Sequence, residues 1–130
     1  MKIPKTFRDI KHFIDKYSLR SFNNDKSVLK YLEYFDLKRQ LFSQKSEKIK
    51  NLIKPDFNDL ARLHYLILKR KPFNFLEFGS GYSSLIVSHA MCILDENFSG
   101  YVKDNFLISN PFKVYSLEES KYFQKVSTER

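Results

Sequence analysis

The residues best suited to chemistry lie in one short run, Phe75-Leu-Glu-Phe-Gly-Ser-Gly-Tyr-Ser-Ser84. An apolar segment ends in the carboxylate of Glu77, and Gly79 and Gly81 follow it, spaced one apart. Hydroxyl residues and a second apolar run, Leu85 to Ala90, come next. This order predicts a buried strand, a tight turn and the first turn of a helix. Without side chains at Gly79 and Gly81, a ligand could approach the backbone closely. The chemistry expected of such a turn is the binding of a nucleotide-like cofactor. A second carboxylate, Glu118, ends another short apolar run, Val114 to Leu117.

The acidic residue followed by x-Gly-x-Gly resembles the first motif of the class I S-adenosylmethionine-dependent methyltransferases, with Glu77, Gly79 and Gly81 in those places. Lys113-Val-Tyr-Ser-Leu-Glu-Glu-Ser120 resembles that family's second strand with its terminal acidic residue. The helix expected from Asp56 to Arg70 resembles the one that often precedes the first motif. Together the matches run over roughly residues 56 to 122, about half of the chain. The resemblance implies S-adenosyl-L-methionine as cofactor. It assigns Glu77 to the ligand's ammonium group and Glu118 to the ribose hydroxyls, with Glu119 next in line. Ser80, Tyr82 and Ser83 would offer backbone N–H or hydroxyl groups around the methionyl part. No residue is assigned as catalytic, and the motifs do not specify the methyl acceptor.

A dinucleotide is the rival cofactor. Its fingerprint places a third glycine or alanine where this chain has Ser84, and an acidic residue roughly 20 positions on. Glu118 comes far later, beyond the segment Asp95 to Pro111. Both departures favour the methyltransferase resemblance.

The elements that would position these residues are read from periodicity. Phe7, Ile10, Phe13, Ile14 and Tyr17 predict an amphipathic helix over residues 5–18. A second helix, capped by Asp25 or Ser27, is expected to run to about residue 45. Residues 43–54 are lysine-rich and read as its continuation or a linker. Asp56 is the expected N-cap of the next helix, which Pro72 ends. Phe73 to Phe78 reads as a strand buried on both faces, and Ser83 to Leu94 as a helix. Asp95 to Asn110 reads as a loop with a short extra element. Residues 114–117 form the second strand, and a further helix begins at Glu119. Strand, helix and strand in that order predict a parallel pair with a right-handed crossover, placing Glu77 and Glu118 at one edge. The fold class expected is α/β: N-terminal helices, then the first β-α-β unit of a Rossmann-like fold with an incomplete sheet. The expected divisions are a basic helical segment, 1–54, and a cofactor-binding segment, 55–130.

Charge follows that division. The chain carries a net +8. Residues 1–54 hold fourteen Lys or Arg against six Asp or Glu, and residues 55–130 hold nine of each. A basic helical half admits a nucleic-acid-binding module as an alternative function. Asp9, Asp15, Glu33, Asp36 and Glu47 interrupt the positive residues, which favours an ordinary solvated surface. A third alternative is a non-catalytic domain acting by interaction. Cys92 is the only cysteine, which excludes an internal disulfide, and its apolar surroundings predict a buried, inert thiol. His64 and His89 read as packing residues, since their local spacing offers no metal pair. No signal-peptide core or membrane-length apolar run occurs, so a cytoplasmic location is expected.

With 130 residues, the chain holds fewer strands than the family resemblance requires. The expectation is therefore the N-terminal portion of a methyltransferase, truncated after the second strand. A complementing C-terminal chain or self-association would cover its apolar surface.

Overall fold

The computed structural model describes residues 6–42, 56–78 and 81–117. Two compact units divide the chain, Met1–Arg62 and Leu63–Arg130, and the division falls within a helix.

In the first unit, helix α1 spans Phe7–Ile14 and is opened by Thr6, whose hydroxyl accepts from the Asp9 N–H. A 3-10 turn, Leu19–Asn23, leads into helix α2, Asp25–Tyr34. The α2 N-cap is Asn24, one residue before Asp25 and three before Ser27, the expected caps; its Oδ1 accepts from the N–H groups of Lys26 at 2.9 Å and Ser27 at 3.3 Å. The helix expected to run to residue 45 is broken at Asp36, where φ is 56°. Helix α3 then spans Leu37–Phe42. The break lets both Phe35 and Leu37 enter the core, which an uninterrupted helix would point about 200° apart. Ile10, Ile14, Phe22, Val28, Tyr31 and Leu32 are buried with them. Tyr31 meets Phe22 edge-on at 5.3 Å, while Phe13 stacks on Tyr34 at 3.8 Å.

Helix α4, Phe57–Arg70, begins at Asp56, whose Oδ1 accepts from the N–H groups of Asn58 and Asp59. Its C-terminal half belongs to the second unit and ends at Lys71, where φ is 50°, just before Pro72. Strand β1, Asn74–Phe78, pairs in parallel with β2, Lys113–Leu117, in the register Leu76↔Tyr115 and Glu77↔Ser116. Between them runs helix α5, Tyr82–Asn105, of 24 residues.

The expected α/β class is therefore corrected. About 70% of the described residues are helical, in five α-helices and the 3-10 turn, and the strands are only two and short. The main cause is α5, which continues through the segment read as a loop. Val87, Ala90, Met91, Leu94 and Val102 are all buried along its length, with Phe98 half-buried between the last two. That stripe at three- and four-residue spacing carries the helix past Gly100, which alone weakens a helix by about 1 kcal/mol. The Asn97 and Asn105 side-chain amides donate back to the carbonyls of Ile93 and Tyr101. Two five-residue strands cannot form a layer for such helices to cover on both sides.

The sheet faces differ accordingly. Phe75, Glu77 and Val114 are half-buried, and α5 lies against β2. On the opposite face Leu76 is 55% exposed and its register partner Tyr115 54% exposed. The expectation of a strand buried on both faces fails at Leu76, because no further strand or helix among the described residues covers that side.

Candidate functional site

The site forms where β1 gives way to α5. Glu77 sits next to the end of β1, so its carboxylate reaches the first turn of the following helix. There Ser83 Oγ donates to Glu77 Oε2 at 3.3 Å, and Ser84 Oγ donates to Glu77 Oε1. A carboxylate is also favoured at this place by the positive dipole end of a 24-residue helix.

Gly81 is the N-cap of α5. Its carbonyl accepts from the Ser84 N–H at 3.1 Å, and its own N–H donates to Ser84 Oγ at 3.3 Å. The backbone here is extended, with φ 173° and ψ −150°, so no left-handed conformation demands glycine. A Cβ added at Gly81 would meet nothing within 4 Å. The turn thus leaves open space above Gly81, and the fold itself makes no steric use of the missing side chain.

Of the sequence-predicted site residues, Glu77, Gly81 and Ser83 come together, with Tyr82 half-buried between the last two. Gly79, Ser80, Glu118 and Glu119 lie outside the described residues. Ser84 was not among the expected ligand residues, although its hydroxyl donates to the Glu77 carboxylate. The available signal was its place as the third residue of a helix whose N-cap has no side chain.

A second constellation was missed. His64 of α4 and His89 of α5 are 25 residues apart in sequence, yet Nε2 of the first lies 2.9 Å from Nδ1 of the second. His64 is fully buried. Burial, and then the neighbouring His89, hold its pKa well below the ordinary value of 6.5. A neutral imidazole can donate from one ring nitrogen and accept at the other, so the pair forms a single hydrogen bond. Among the described residues, no group of three or more His, Cys, Asp or Glu is placed to hold a metal ion.

Cys92 departs from expectation. It lies on the exposed side of α5 with Sγ 3.7 Å from Glu96 Oε1. Partial burial, then the Glu96 and Asp95 carboxylates, push its thiol pKa up, which opposes nucleophilic use.

On the first unit, a groove of about 530 Å³ is lined by residues that include Arg8, Asp9, His12, Asp15, Lys16 and Tyr34. Its charges are mixed, and Lys11 pairs with Asp15 at 2.7 Å. The positive stripe that would track a phosphate backbone is thus interrupted by carboxylates.

Among the described residues, no helix is long and apolar enough to cross a membrane. No protein-family model, curated protein or solved structure matches this chain.

Proposed function

We propose that the chain binds S-adenosyl-L-methionine at the β1–α5 turn, as a methyltransferase or the cofactor-binding part of one. The observation that carries this reading is the pairing of an oriented carboxylate, Glu77, with unfilled space above Gly81. The carboxylate would take the ligand's ammonium group, and the open backbone at Gly81 would admit its methionyl and ribose portions. Tyr82 and Ser83 supply further polar groups at the same turn. Glu118 would take the ribose hydroxyls, as the sequence resemblance implies.

The direct test is calorimetric titration of the full chain with S-adenosylmethionine and S-adenosylhomocysteine. Saturable binding that falls at least tenfold in Glu77→Ala supports the reading. Absence of binding by the wild-type chain refutes it.

A second reading, an interaction domain without cofactor, is favoured by the uncovered pair Leu76 and Tyr115. Exposed apolar faces of this kind suit association with another polypeptide, either a complementing chain or a second copy. Sedimentation of the wild type and of Leu76→Ser with Tyr115→Ser distinguishes this reading. Self-association that disappears in the double variant supports it, and a concentration-independent monomer removes the second-copy form.

A further inference from the structure

We propose that Ser84 is the positioning residue of this site, setting the Glu77 carboxylate for an ammonium-bearing ligand. The inference rests on the cofactor reading above and adds to it a residue and a mode of action.

Ser84 is nearly buried. Its single hydroxyl proton goes to Glu77 Oε1, which leaves the oxygen lone pairs to accept from the Gly81 N–H. One side chain therefore ties the end of β1, the turn and the first turn of α5. Ser83 reaches only the second carboxylate oxygen, from a half-buried place and at 3.3 Å. Held at both oxygens, Glu77 loses rotamer freedom before a ligand arrives, so less ordering remains to be done on binding. Alanine at residue 84 would remove the donor to Glu77 Oε1 and leave the Gly81 N–H without that acceptor.

The experiment compares binding of S-adenosylhomocysteine with binding of its deaminated analogue, which differ only in the amine. Ser84→Ala should weaken the first ligand about tenfold and the second less than about twofold, with Ser84→Thr restoring the difference. The double variant Glu77→Gln/Ser84→Ala should bind no more weakly than Glu77→Gln alone. Equal losses for both ligands, or no loss, would overturn the positioning role while leaving the cofactor reading standing. Failure of the wild type to bind either ligand would overturn both. Should Ser84→Ala fail to fold, Ser84→Cys, nearly isosteric with a weaker donor, replaces it: a selective loss for the amine-bearing ligand supports the role, and equal losses or none overturn it.

Discussion

The buried His64, bonded to a half-buried His89, makes the stability of the second unit depend on pH, with a sign that follows from its burial. His64 is fully enclosed and hydrogen-bonded to His89 at 2.9 Å. Its folded-state pKa is depressed below the ordinary 6.5, so the unfolded chain binds its proton more readily than the folded one. The stability contributed by this group is complete above the unfolded value. It is lost as pH falls below 6.5, until the folded value is reached.

A histidine that resists protonation in the fold while its unfolded counterpart titrates costs stability on the order of 1 kcal/mol between about pH 7.5 and about pH 5.5. The assay is urea unfolding at both pH values, for the wild type and for His64→Gln, whose amide can still bond to His89 without titrating. The wild type should lose more than the variant over that interval, by an amount on the order of 1 kcal/mol. Parallel losses in the two proteins would show that His64 protonates as easily inside the fold as outside it, and would refute a burial-depressed histidine.

Three further outcomes are expected. Asn24→Ala removes the acceptor for two N–H groups of α2 and should lower stability by about 1 kcal/mol in denaturant melts. Asp36→Gly relieves a left-handed residue whose ion pair with Arg39, at 4.0 Å, is long and surface-facing; stability should rise by about 0.5 kcal/mol in the same melts. Gly81→Ala adds a Cβ into empty space on extended backbone, so the folded state should change by less than about 1 kcal/mol. Affinity for S-adenosylmethionine should nonetheless fall at least tenfold, and undiminished affinity would place the ligand away from this turn.

Local signals in the sequence were strong where one element decides the outcome. The cap at Asp56, the stop at Pro72 and the placement of the two strands all follow from residue type and period. Three features needed tertiary context. The Asp36 kink appears only when Phe35 and Leu37 both find the same core. The reach of α5 beyond Leu94 was obscured by Gly100 and polar residues, although Leu94, Phe98 and Val102 keep a four-residue spacing. The His64–His89 bond joins two helices, and a search for nearby ligand pairs along the chain cannot see it. Exposure of Leu76 was hidden for the opposite reason: an apolar run reports what a strand can bury, not whether a second cover is there.

Glu77 has two uses that make different demands, and one substitution separates them. As a structural tie, the side chain needs to accept hydrogen bonds from the Ser83 and Ser84 hydroxyls near the start of α5. The amide oxygen of Glu77→Gln can keep one of these, and a serine hydroxyl can accept from the new N–H groups. The loss is then chiefly the charge–dipole interaction, and thermal or urea melts should move by about 1 kcal/mol or less. As a ligand group, the side chain must supply a negative charge to an ammonium, and a neutral amide carrying its own N–H donors opposes that directly. Binding of S-adenosylmethionine should therefore drop at least tenfold in a protein that still folds. If Glu77→Gln instead unfolds the chain while Glu77→Ala does not, the carboxylate's place in the turn has been misread. If both variants fold and bind as the wild type does, Glu77 has a structural role alone.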